Sequence, residues 1–168
     1  MKILGVDPGL RVTGYGVIRV SEGYPRAGHI ELLEAGVIRT KADSGIASRL
    51  GRVYGALSEI ILEFKPQLLA IEKLYAHYKH PATAILMGHV RGAVCLLSAT
   101  HDVPLANIAS THVKKAVTGR GHAGKEQIQR MVQHTLDLRE APGSSDAADA
   151  LALAIACARN YKKVVSSQ

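Results

Sequence analysis

The first forty residues alternate between apolar runs and short polar breaks. KILGVD (2–7) and VTGYGVIRV (12–20) are joined across Pro8-Gly9, and a third run at about 27–39 follows the polar segment SEGYPRAG. Apolar runs of this length bounded by Gly and Pro predict strands, and three of them joined by short turns predict an antiparallel meander. The period then changes. Ile46, Leu50, Val53, Leu57, Ile60, Ile61 and Phe64 recur at spacings of three and four, which is the stripe of an amphipathic helix, and Pro66 ends it. LLAIEK (68–73) predicts a fourth strand and PLANIA (104–109) a fifth. Between them, residues 82–99 predict a helix that is apolar on most faces and interrupted by Gly88 and Gly92. Ser110 or Thr111 reads as the N-cap of a short helix over 111–118. The loop TGRGHAGK precedes a helix at 125–136, and after APGSS a last helix runs over 145–160.

This order, βββ-α-β-α-β-α-α-α, is an α/β pattern: a five-stranded mixed sheet flanked by helices, in one domain over 1–168. Strands separated by helices pair in parallel through right-handed crossovers, so strands one, four and five are expected side by side. Ligands of such sheets gather at the carboxyl ends of the parallel strands. Asp7 ends the first strand and Glu72 the fourth, which makes them expected neighbours.

Charge and cysteine content narrow the class. The formal net charge is +7, and a basic excess of this size favours a polyanionic partner such as nucleic acid, although a merely basic soluble protein is also consistent with it. Cys95 and Cys157 are far apart, lack any zinc-site spacing and sit among apolar neighbours, so they read as buried reduced thiols of a cytoplasmic protein. The N-terminal pattern is that of a strand rather than a signal peptide. No run is expected to reach the roughly 18–20 apolar residues that a membrane span needs, so no membrane partner is expected.

The acidic residues carry the candidate chemistry. Asp146 and Asp149 are three apart at the start of the last helix and share one face. Acids in a first turn suit the helix dipole, and Ser144 or Ser145 is a ready N-cap, so the pair has a purely structural reading. Asp7 has one as well, as part of an Asp-Pro-Gly turn, and Glu72 has one as a surface charge beside Lys73. Taken together, however, two carboxylates at strand ends and two on one helix face form a cluster. Such a cluster stays ionised only with a cation among its members. An all-oxygen donor set suits Mg²⁺ or Mn²⁺, and paired ions are suited to phosphodiester hydrolysis. Asp7 is the expected bridge between two ions, with Glu72 on one side and Asp146 and Asp149 on the other.

GVDPGLRVTGYGVI, AIEKLY, HVKKAVTGRGHAGKEQI and SSDAADALALAIA occur in this order along the chain. In these motifs the chain closely resembles, nearly end to end, the RuvC family of Holliday-junction resolvases within the ribonuclease H-like nucleases. The resemblance implies a homodimeric endonuclease that makes symmetric nicks in a four-way DNA junction and acts with a branch-migration motor. It also implies catalytic carboxylates at Asp7, Glu72, Asp146 and Asp149, a base-stacking aromatic at Tyr75, and phosphate-binding lysines at Lys114 and Lys125. Chemistry supports these assignments. Tyr75 lies in the polar loop LYAHYKHP, where a ring can stack on an unpaired base or fold onto the protein surface. Lys114, Lys115, Arg120 and Lys125, among flexible glycines, make a phosphate-holding patch, and Lys125 lies near a helix start that favours anions. The loop after Glu72 is a residue longer than in common members and has His80 where Asn is usual; His77 and His80 read as phosphate contacts rather than metal ligands. The helix over 82–99 is the candidate dimer interface, with a monomer core helix as the alternative. Two rival functions remain: an actin/hexokinase-like phosphotransferase, against which the single Asp-x-Gly turn counts, and a non-catalytic junction binder, against which the four carboxylates count.

Overall fold

The computed structural model describes residues 1–23, 29–73 and 81–160. In chain order the elements are β1 (Lys2–Asp7), β2 (Val12–Val20), β3 (Ile30–Arg39), α1 (Ile46–Phe64), β4 (Leu68–Glu72), α2 (Pro81–Thr100), β5 (Leu105–Ile108), α3 (Ser110–Thr118), α4 (Lys125–Thr135) and α5 (Ser145–Arg159). The strands form one sheet in the order β3-β2-β1-β4-β5. β1, β2 and β3 pair antiparallel, while β1–β4 and β4–β5 pair in parallel. The mixed sheet expected from the sequence is therefore present, with strands one, four and five adjacent.

Apolar side chains leave both faces of the central strands. Leu4, Val6, Val17, Leu69 and Ile71 pack under α1 and α2 with Val53, Leu57, Ile61, Val90, Val94 and Leu97. Their neighbours Ile3, Ile18, Leu68 and Ala70 point the other way, toward α3, α4 and α5, where Leu151 and Ile155 fill the core. A strand buried on both faces reads as a continuous apolar run, which is how β1 and β4 read.

α5 lies directly on the sheet, and two glycines allow it. A Cβ on Gly5 would stand 2.0 Å from the Ala150 carbonyl oxygen, and one on Gly14 would stand 2.0 Å from that of Asp146. Only a residue without a side chain permits such an approach. Every α5 residue from Ala147 to Ala158 except Asp149 is buried. The Ser144 side chain caps this helix, its Oγ accepting from Ala147 N–H at 3.1 Å.

Three expectations are corrected. Of the two cysteines expected to be buried, Cys157 is buried and Cys95 is partly exposed. The N-cap of α3 is Ala109, with no side-chain cap, because the helix begins at Ser110 itself. Residues Thr83–Thr100 of α2, with mean hydropathy 1.3, are long and apolar enough by length and composition to cross a membrane. An unbroken apolar run is absent from α2, but the small residues between its large apolar ones barely lower the mean. In this fold α2 is a layer on the sheet. Val90, Val94 and Leu97 are fully buried, and the Arg91 guanidinium donates to the Glu72 carbonyl oxygen at 2.6 Å and to Asn107 Oδ1.

Candidate active site

The register brings the strand-end acids together. Val6 pairs with Ile71 across β1 and β4, so Asp7 and Glu72, one residue further on, end adjacent parallel strands. Asp7 also faces Gly14 across β2, the glycine over which the first turn of α5 passes. The Pro8-Gly9 turn is closed by the Thr13 hydroxyl, which donates to the Gly9 carbonyl oxygen at 2.7 Å. The Asp7 carboxylate faces a cleft of about 230 Å³ lined also by Glu72, Ser110, Lys114, Lys125 and Asp149.

The electrostatics are those of a crowded acidic site. Asp7 is pushed up from its ordinary 3.8 to about 7, first by burial and then by Asp149, Glu72 and Asp146, with only Lys125 opposing. The other three predicted carboxylates are therefore all within electrostatic reach of Asp7. They do not, however, all point into the cleft: Asp146, in the first turn of α5, is not among its lining residues. Among the described residues no three acidic, His or Cys side chains are drawn into a ligating group, so closing a ligand set requires side-chain movement. The donor chemistry nevertheless fits a hard divalent cation, being all carboxylate oxygen with an excess of negative charge around a half-buried acid.

Lys125 supplies the local positive charge. It is the first residue of α4, and its Nζ lies 3.1 Å from Asp149 Oδ2. The bond to Asp149 and the charges of Asp149, Asp146 and Asp7 raise the lysine above its ordinary value despite a small opposing effect of burial. Lys114 lines the cleft from α3. Lys115 and Arg120 are exposed and lie outside the cleft lining, in the last turn of α3 and the loop after it, where the Thr118 hydroxyl bonds both the N–H and the carbonyl of Arg120. Tyr75, His77 and His80 lie outside the described residues.

Sequence reasoning missed two contributions. Ser110 lines the cleft from the first position of α3, at the carboxyl end of a parallel strand, where ligand contacts gather. Arg91 ties the ends of β4 and β5 together beside Glu72, and no pattern short of the fold pairs it with Asn107.

Comparison with known proteins places this geometry in a family. The sequence model of crossover junction endodeoxyribonuclease RuvC matches residues 3–157. The chain belongs to the RuvC family. It is 44% identical over 153 residues to the crossover junction endodeoxyribonuclease RuvC of Rhodopirellula baltica, covering 91% of this chain and 83% of that relative. It is 42% identical over 164 residues to that of Vibrio vulnificus strain YJ016, covering 98% and 90%. Among solved structures, Thermus thermophilus RuvC superposes with a TM-score of 0.88 at 33% identity, covering 97% of this chain and 96% of that one. Thermus thermophilus RuvC in complex with a Holliday junction substrate matches with a TM-score of 0.85 at 29% identity. The yeast mitochondrial resolvase Ydc2, with a TM-score of 0.66 at 13% identity, shares the fold. The RuvC family and its ribonuclease H-like architecture are thus those expected from the four motifs.

Proposed function

We propose that this chain is an endonuclease that resolves four-way DNA junctions by symmetric paired nicks, as a homodimer, in recombination and repair. The observation that carries the reading is the Asp7 carboxyl, raised to about 7 by burial and three other carboxylates, in a cleft lined also by two lysines of a RuvC family chain. Asp7, Glu72, Asp146 and Asp149 would hold two Mg²⁺ or Mn²⁺ ions. When bound, such ions supply Lewis-acid activation of water and neutralise charge on the leaving oxygen. The protein's own residues do the rest. Lys125, which stands beside Asp149 in the cleft, would hold a phosphate oxygen together with Lys114. Lys115 and Arg120 extend the phosphate contact along the outer face of α3, and Tyr75 stacks on a base near the branch point.

A two-fold substrate calls for a two-fold enzyme, and α2 has a face suited to the contact. Ile85 and Leu96 are exposed on it, and a Cβ on Gly88 or Gly92, on the same face, would meet nothing within 4 Å in the protomer. Residues 1–168 act as one nuclease unit, working inside the cell where its DNA substrate is, and docking to a branch-migration motor follows from the family reading.

The test is a synthetic four-way junction beside a linear duplex of the same sequence, with Mg²⁺ or Mn²⁺, using wild type and Asp7→Asn. Paired nicks in the junction by wild type alone, with junction binding kept in the variant, are expected. Equal cleavage of the linear duplex would refute junction selectivity, and ATP turnover without DNA would favour the phosphotransferase instead.

A further inference from the structure

At the C-terminal end of β3, on the same edge of the sheet as Asp7, six cations gather from four parts of the chain. Arg11 follows the β1–β2 turn, Arg39 ends β3, Lys41 follows it, Arg49 and Arg52 rise from the first turns of α1, and Arg139 precedes α5. Hydrogen bonds fix their proximity. Thr40 N–H donates to the Arg11 carbonyl oxygen at 3.1 Å. Arg49 donates through Nε to Thr40 Oγ1 at 3.0 Å and through its terminal amino group to the Leu10 carbonyl oxygen at 3.1 Å. Arg52 Nε donates to the Arg39 carbonyl oxygen at 2.9 Å. Arg39 and Arg139 line a groove of about 390 Å³ between β3 and the segment before α5.

This edge is under-neutralised. The two ion pairs found among the described residues, Arg19–Glu31 and Lys125–Asp149, lie elsewhere, and against the six cations the adjoining segments carry the exposed Asp43 and Glu140 and the half-buried Asp146, which stands over Gly14 opposite Val37. α1 also starts here with no acidic residue in its first turn and no side chain capping it, so its N-terminal N–H groups add to the positive field. Arg49 and Arg52 have a structural use in holding backbone carbonyls. Arg11, Arg39 and Lys41 make no side-chain hydrogen bond or ion pair among the described residues, and all three are exposed.

We propose that this basic edge holds the phosphate backbone of a duplex arm of the junction, on the side of Asp7 opposite Lys114 and Lys125. The proposal rests on the junction-cleaving reading and adds a second contact surface to it. β3 lies two strand positions from β1, about 10 Å at ~4.8 Å per strand. A strand threading the cleft therefore meets cations on both flanks, the lysines of α3 and α4 on one and the end of β3 on the other. Contacts of this sort fix register and strengthen binding without reading sequence.

The experiment measures junction binding across a salt series in an Asp7→Asn background, where binding is read without cleavage. It compares Arg11→Gln/Arg39→Gln/Lys41→Gln with the charge-keeping Arg11→Lys/Arg39→Lys. The slope of log affinity against log salt should fall by about 0.9 for each phosphate that is no longer neutralised, up to about 3 for the triple variant, and affinity should drop more than tenfold at low salt. The lysine variant should keep the parent slope. An unchanged slope in the triple variant, or an equal fall in the lysine variant, overturns the proposal while leaving the nuclease reading intact. Failure of the parent chain to prefer the junction over linear duplex overturns both.

Discussion

Asp7→Asn separates the electrostatic description of the site from its catalytic role, because the two predict effects of opposite sign. In the folded protein Asp7 is raised from 3.8 to about 7, by burial first and the other carboxylates second. Between those values the folded state holds a proton that the unfolded chain has released, so stability falls as pH rises through this window. The gap corresponds to about 4 kcal/mol at about 1.36 kcal/mol per pH unit, a ceiling because the site opens to solvent; about 2–4 kcal/mol is expected. Asparagine has the same shape and no charge. In chelator-containing buffer the variant should therefore be more stable than wild type at pH 8 by roughly that amount, with the difference shrinking toward pH 4. Urea unfolding at several pH values reads it directly. Adding Mg²⁺ should raise the wild-type Tm and leave the variant nearly unmoved, since bound cations stabilise only the form that holds them. Nuclease activity should vanish in the same variant. A variant less stable than wild type at pH 8, or a difference independent of pH, would refute the account of Asp7 as a charge held at a cost for a cation.

Three further changes test other parts of the structure. Gly14→Ala places a Cβ against the Asp146 carbonyl oxygen, displacing α5; a destabilisation of at least about 2 kcal/mol by chemical unfolding is expected, with activity abolished even where the variant remains folded. Arg91→Gln removes the guanidinium bonds to the Glu72 carbonyl and Asn107, so cleavage should slow by about tenfold or more with junction affinity nearly unchanged, as measured by single-turnover kinetics. The Cys157 thiol is buried and pushed up to about 12, so a thiol reagent at pH 8 should label the partly exposed Cys95 in the native protein and Cys157 only after unfolding, as counted by mass spectrometry.

The fold is legible in the sequence where local pattern and long-range pairing agree. Apolar runs mark β1, β2 and β4 because their residues are largely buried, and the three-four spacing from Ile46 to Phe64 marks α1 because its other side faces water. Pattern fails where small residues blur it. α2 carries Gly, Ala and Thr on several faces, so its composition does not distinguish a sheet-packed layer, a dimer face and a membrane span; its packing on the sheet and the bonds of Arg91 make it a layer of this fold. The cap of α3 is misread for a related reason. Ser110 has a good capping side chain, but the extended N-cap residue after β5 is Ala109, so Ser110 is already the first helical residue and lines the cleft instead.

The carboxylates are legible by type and spacing, but their different environments are not. Asp146 and Asp149 share a face by spacing alone, and the sequence treats them as equals. The structure separates them: Asp149 lines the cleft and pairs with Lys125, while Asp146 stays in the half-buried first turn above Gly14. This difference follows from the depth at which α5 meets the sheet, which the close approaches at Gly5 and Gly14 fix. Gly14 belongs to the motif GVDPGLRVTGYGVI that carries Asp7, so one short stretch supplies both the acid and the space that lets two other acids approach it. A substitution at Gly14 should therefore change the ionisation of Asp7 without touching a carboxylate, since moving Asp149 and Asp146 away removes two of the charges that raise it.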